Sequence, residues 1–198
     1  VTIGNPVRKG LEEIDTVENT QPCHLLVVGG SRGALALNET LPKALALMDE
    51  EIRPVVKHQT GEKTLEQAQQ AYEASGMVAE VVPFIDDMLK AYAQADLLLC
   101  RSGALTVSEL MAVARPAIMV PYPHAVDDHQ TANAQALVDL GGGQIIQQTE
   151  LTPERLAEAL TAWCVNTERR VKASESIRAN AKTQATEQIV EKLLQLAD

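Results

Sequence analysis

Gly29-Gly30-Ser31-Arg32-Gly33-Ala34 follows the apolar run His24–Val28 and opens a helical pattern. Glycines let a turn close tightly, and the free N–H groups of a helix start attract phosphate. The spacing is neither the dinucleotide GxGxxG nor the P-loop GxxxxGK[ST]. A plain strand-to-helix turn with Ser31 as N-cap explains the same residues, so both readings stay open here.

Cys100-Arg101-Ser102-Gly103-Ala104-Leu105-Thr106-Val107-Ser108-Glu109 repeats the arrangement. A strand ends in Ser-Gly, and a helix begins on small residues, leaving its positive end open to an anion. Glu109 lies about a turn and a half into that helix. A carboxylate there can accept hydrogen bonds from two vicinal hydroxyls, as a ribose offers. The bland alternative is a solvated or capping acid.

Two further stretches carry polar chemistry. Pro121–Asn133 is a long loop and helix start crowded with His124, Asp127, Asp128, His129, Gln130 and Asn133. Amide and imidazole groups pair readily with sugar hydroxyls. The His and Asp spacing matches no closed zinc pattern, and Asp127 or Asp128 can simply cap the helix. Phe84-Ile85-Asp86-Asp87-Met88 reads as core packing plus an Asp cap; its alternative is a backbone edge at Ile85 that reads a nucleobase. His58, just after a strand, is a ligand contact or a partly exposed turn residue. His24 and Trp163 read as packing residues.

These places share one setting: each follows a strand. The expected strands are His24–Val28, Arg53–Lys57, Val78–Val82, Asp96–Cys100, Ala117–Val120 and Gln144–Gln147. The expected helices are Ala34–Met48, Thr64–Ser75, Asp86–Ala95, Leu105–Ala114, His129–Leu140 and a helical tail from Thr152, where Thr152-Pro153-Glu154 is a start signal. Alternating strands and helices, with strands apolar on both faces, predict an α/β fold: a Rossmann-like, doubly wound parallel sheet with a helical C-terminal tail. Ligands in such sheets sit outside the carboxyl ends of the strands.

Composition narrows the function classes. The 198 residues are 45% hydrophobic, which supports a packed core, yet only 3% aromatic, so Leu, Val, Ile and Ala must build it. The formal charge of −10 argues against nucleic acid as a partner, which wants a basic face or stacking platforms. No apolar run is long enough to span a membrane. Cys23, Cys100 and Cys164 are far apart without a CxxC pair and read as reduced, small hydrophobes of a cytoplasmic protein. Residues 1–22 are polar, acidic and punctuated by Gly4, Pro6 and Gly10, as in a solvated linker, so the chain is expected to be cut from a longer protein.

The motifs also occur in a telling order. Gly4-Asn5-Pro6-Val7-Arg8, GGSRGA at 29–34, FIDDM at 84–88, CRSGALTVSE at 100–109 and DDHQTANA at 127–134 together resemble the C-terminal half of the peptidoglycan N-acetylglucosaminyltransferases of glycosyltransferase family 28. The resemblance runs over essentially the whole chain. It implies the donor half of a two-domain GT-B enzyme, with residues 1–22 as interdomain linker, 23–166 as UDP-sugar-binding domain and 167–198 as C-terminal helices.

The resemblance further implies inverting transfer of GlcNAc from UDP-N-acetylglucosamine to an undecaprenyl-pyrophosphoryl-MurNAc-pentapeptide. That is a step of peptidoglycan synthesis, and so of cell-wall biogenesis, cell shape and division. The full-length enzyme is expected at the cytoplasmic face of the inner membrane, reaching its lipid-linked acceptor through an N-terminal domain that this chain lacks. No catalytic residue is expected here, because the general base would come from that domain; no metal and no cofactor are expected either. Arg8 and Ser31 would contact the nucleotide end of the donor, and Ile85 would read uracil through its backbone. Ala104, Leu105, Thr106, Val107 and Ser108 would offer the helix start to the pyrophosphate, Glu109 would hold the ribose and Gln130 the GlcNAc hydroxyls. Gly30, Gly103, His129 and Asn133 are further candidates. Half of a related UDP-sugar glycolipid transferase, or a non-catalytic sugar-nucleotide-binding domain, are the alternatives.

Overall fold

A computed structural model describes residues 4–17, 21–30, 34–123, 128–182 and 185–197. Six strands form one parallel sheet: β1 (His24–Val28), β2 (Val55–Gln59), β3 (Glu80–Val82), β4 (Leu97–Cys100), β5 (Ala117–Met119) and β6 (Gly143–Ile145), in the order β3-β2-β1-β4-β5-β6. The order reverses between β1 and β4, and a crevice for a ligand opens at such a point. Eight α-helices accompany the sheet among the described residues: α1 (Leu35–Leu47), α2 (Leu65–Ala74), α3 (Met88–Gln94), α4 (Ala104–Val113), α5 (His129–Val138), α6 (Pro153–Cys164), α7 (Thr167–Asn180) and α8 (Ala185–Ala197).

Alternation along the central strands divides the core into two layers. Leu25, Val27, Leu97 and Leu99 face α1, α2 and α6, where Trp163 is fully buried. Leu26, Leu98, Cys100 and Met119 face α3, α4, α5 and α7. Aliphatic side chains fill both layers, as the scarcity of aromatics requires. Ile177 of α7 lies in the second layer, so the helices beyond residue 166 begin as part of this core.

Two expected strands are displaced, each for a local reason. The second begins at Val55, because Arg53 turns back to donate Nε to the carbonyls of Leu45 (3.1 Å) and Met48 (3.0 Å) at the end of α1. Pro54 has no N–H to give, and the ladder starts where Val55 N–H donates to Cys23 O. His58 and Gln59 therefore lie inside β2, paired with Val27 and Val28. The sixth begins earlier than expected, at Gly143, which pairs with Ala117; a Cβ there would meet Ala117 O at 2.9 Å.

The stretch expected as a solvated linker is strapped to the domain. Leu11 and Val17 are buried. Arg115 Nη1 donates to Asp15 O (2.7 Å) and Val17 N–H donates to Ser174 Oγ (3.0 Å). Arg178 donates to Glu12 O and Ile14 O. Glu12, Glu13 and Asp15 stay exposed while the carbonyls of Glu12, Ile14 and Asp15 take the arginines. This strapping carries Asn5 and Arg8 to the edge of α4.

Cys23, Cys100 and Cys164 are buried and free, and burial pushes the Cys100 thiol up to about 12. No helix among the described residues is long and apolar enough to cross a membrane.

Candidate nucleotide site

The site is built around the start of α4. Gly103 is its N-cap, and no side chain caps it. The first helical bond runs from Val107 N–H to Gly103 O, which leaves the N–H groups of Ala104, Leu105 and Thr106 outside the ladder. Ser102, one residue before the cap, is fully buried, and its Oγ has no hydrogen-bond partner. Asn133 Nδ2 holds the Ser102 carbonyl at 3.1 Å. Free N–H groups, a positive helix end and an unpaired hydroxyl thus meet at the carboxyl end of β4.

One and a half turns further on, Glu109 is buried rather than solvated. Tyr92 of α3 donates its phenol to Glu109 Oε2 at 2.9 Å. Burial first, and then the charge and hydrogen bond of Glu109, raise the Tyr92 pKa well above the usual phenol value, so it stays a donor. Glu109 Oε1 accepts no hydrogen bond, although Arg8 Nε lies 3.4 Å from it. Half of the Arg8 side chain is in solvent, which keeps this contact weak and exchangeable. Asn5 Nδ2 donates to Ser108 Oγ at 2.9 Å, so the Gly4–Arg8 segment lies along the same helix face.

Tyr92 escaped the sequence reading. Its only signal was that a buried phenol needs a polar partner, and the pairing across α3 and α4 is not visible in spacing. Tyr92→Phe leaves Glu109 Oε2 without its donor. The expected cost is about 1–2 kcal/mol, or a melting temperature lowered by roughly 2–6 °C, measured by thermal denaturation.

The remaining candidates divide. Gly30 is present, with φ +77° in the region that favours glycine, at the end of β1. Ser31 lies outside the described residues, and the N-cap of α1 is Ala34. Ile85 is buried in the second layer while Phe84 is 68% exposed, so the expected packing holds for Ile85 and fails for Phe84. Asp87 caps α3 by accepting from Lys90 N–H at 2.9 Å. Gln130 Oε1 accepts from Tyr122 N–H (2.9 Å) and holds the loop after β5. Asp128 is the N-cap residue of α5, with φ +50°, and accepts from the Thr131 hydroxyl at 2.7 Å. His129 is exposed at the first turn. His124 and Asp127 lie outside the described residues. Among the described residues no three His, Cys, Asp or Glu side chains are disposed to hold a metal ion.

Two expectations fail on position. His58 is fully buried within β2 rather than in a turn, its Nδ1 3.1 Å from Tyr72 Oη. His24 is half-exposed at the edge of β1, its Nδ1 3.3 Å from Asp96 Oδ2, and is not a packing residue. Arg101, read only as part of a motif, is a strut: it donates to the carbonyls of Val120 and Pro121 and to Gln148 Oε1.

The profile of the glycosyltransferase family 28 C-terminal domain matches residues 24–192. The chain belongs to this family. Among relatives of family 28, the UDP-N-acetylglucosamine--N-acetylmuramyl-(pentapeptide) pyrophosphoryl-undecaprenol N-acetylglucosamine transferase of Hydrogenovibrio crunogenus is 64% identical over 99% of the chain and 55% of its own length. The protein of the same name from Marinobacter nauticus is 49% identical over 98% of the chain and 55% of its length. The crystal structure of Acinetobacter baumannii MurG superposes with a TM-score of 0.82 at 40% identity, over 96% of the chain and 53% of that structure. The chain thus spans about half the length of its family 28 relatives, and its fold is that of a GT-B C-terminal half.

Proposed function

We propose that this chain is the donor-binding half of an inverting glycosyltransferase and holds UDP-N-acetylglucosamine across the β1/β4 crevice. The observation that carries the reading is Glu109: a buried carboxylate with one oxygen fixed by Tyr92 and the other without a hydrogen-bond donor, on the helix whose start is open to phosphate. The ribose hydroxyls would donate to Oε1, displacing the loose Arg8 contact and freeing that guanidinium for the nucleotide. The diphosphate would lie against the N–H groups of Ala104–Thr106, with Ile85 beside uracil and Gln130, His129 and Asn133 toward the sugar.

This arrangement favours departure of UDP. As the bond from the sugar C1 to the phosphate oxygen breaks, negative charge grows on the diphosphate. N–H groups and a helix end aimed there stabilise the transition state more than the ground state. On this reading the chain supplies leaving-group stabilisation with neither metal nor cofactor. An N-terminal half supplies the general base and the lipid-linked MurNAc-pentapeptide acceptor, and the whole enzyme works at the cytoplasmic face of the inner membrane. The names of the relatives support this donor and acceptor.

Calorimetry with UDP-GlcNAc, UDP-glucose and NAD tests the reading. The expected result is binding of UDP-GlcNAc in preference to UDP-glucose and NAD, and no turnover until an N-terminal half is added. Preference for NAD, or no uridine nucleotide bound at millimolar concentration, overturns it.

A further inference from the structure

Gln59 ends β2 and is 6% exposed. Every polar atom of its carboxamide is engaged. Oε1 accepts from Gly30 N–H (3.1 Å), and Nε2 donates to Gly30 O (3.3 Å) and to Pro83 O (3.1 Å). Its backbone carbonyl accepts from Gly29 N–H at 2.9 Å. One residue therefore grips the glycine turn after β1 on both polar groups of Gly30 and ties it to the turn after β3, where Pro83 O also accepts from Gly61 N–H at 3.1 Å.

We propose that Gln59 is a positioning residue that locks these two turns together, so that the Gly29–Gly30 turn at the β1/β4 crevice and the base-side turn at Pro83–Ile85 meet a nucleoside diphosphate as one rigid surface. The inference rests on the nucleotide reading above. Glycine with positive φ has many other conformations open to it, and an ungripped Gly30 would sample them. Gln59 fixes it during folding, so that ordering is not charged to binding. The fit is tight as well as polar: a Cβ on Gly29 would meet Gln59 O at 3.0 Å and Ala34 N at 3.2 Å. The chemistry demands an amide. A glutamate of the same shape has no N–H for the carbonyls of Gly30 and Pro83 and sets a carboxylate against both. Methionine keeps the volume and loses all three bonds.

Two subsites held at a fixed separation bind a ligand that spans both more tightly than either binds its own fragment. Releasing the clamp removes that advantage, and uridine, which engages the base-side turn alone, does not draw on it. Calorimetry with UDP and with uridine, on the wild-type chain and on Gln59→Met and Gln59→Glu, reads this directly. The expected result is UDP affinity weakened at least about 10-fold in Q59M, and further in Q59E, with uridine affinity changed less than about threefold. Equal weakening of UDP and uridine, or unchanged UDP affinity in a folded variant, overturns the proposal.

Amide exchange separates the clamp from the nucleotide reading. If the wild-type chain binds no uridine nucleotide, the functional reading fails, and the clamp is still judged by exchange at Gly30 and Gly61. Both are expected to accelerate together in Q59M; acceleration at Gly30 alone overturns it. If neither variant folds, the side-chain NH2 protons of wild-type Gln59 decide: protection from exchange supports the clamp, and exchange at the solvent rate refutes it.

Discussion

Glu109→Ala is expected to weaken UDP-GlcNAc binding about 10- to 150-fold, the equivalent of about 1.5–3 kcal/mol for lost charge-assisted bonds to the ribose. The substitution also strands the Tyr92 hydroxyl, which is buried and donates only to this carboxylate in the structure. A stranded buried donor costs about 1–3 kcal/mol of stability, so binding is to be measured well below the melting temperature. Glu109→Gln separates the two effects. Its amide oxygen can still accept from Tyr92, which restores much of the stability, but the charge that attracts Arg8 and strengthens the ribose bonds is gone. Titration calorimetry on both variants checks this, and wild-type affinity in a folded Glu109→Ala chain refutes the ribose role.

The second large effect is on acid stability. His58 is fully buried, its ring edge-on to Tyr72 with centroids 5.8 Å apart, and its Nε2 has no hydrogen-bond partner. Burial lowers its pKa from 6.5 to about 4. The unfolded chain therefore takes up this proton more readily than the folded one. The stabilisation is complete above pH 6.5 and is lost as pH falls from 6.5 toward 4, about 3 kcal/mol in all. Urea denaturation at pH 7 and pH 4 measures the fall. His58→Phe has no imidazole to charge, so its stability between these pH values should drop less than the wild type's by about 3 kcal/mol. Parallel pH profiles for the two proteins would contradict the assignment.

What could be read in the sequence, and what could not, follows from the range of the forces involved. Strands such as β1, over Leu25–Val27, and Leu97–Cys100 declare themselves because burial on both faces demands apolar residues there. The open start of α4 was legible because Ser-Gly after a strand and small residues after it are local features. Tertiary pairings were not. Nothing near Glu109 in the chain announces Tyr92, and nothing near Gln59 announces Gly30 or Pro83. Strand register hid His58 and Gln59: a start two residues earlier for β2 leaves both in a turn, whereas pairing with Val27 and Val28 places both inside the sheet. The acidic segment before β1 misled in a related way, because its side chains speak for solvent while its carbonyls are held by Arg115 and Arg178. Arg8 entered only through the family resemblance, which also favours the nucleobase alternative at Ile85 that the sequence alone left behind core packing.

On the proposed function, a uridine diphosphate sugar lies along the carboxyl edge of the sheet, between the turn after β1 and the start of α4. An amide chemical-shift map of the chain titrated with UDP-GlcNAc tests it most directly. The largest shifts are expected at Gly30, Ile85 and Ala104–Glu109, saturating together at one affinity. Shifts confined to other residues, such as those lining the roughly 950 Å³ cavity at the amino ends of β1 and β2 around His24, Asp96 and Lys57, would contradict it.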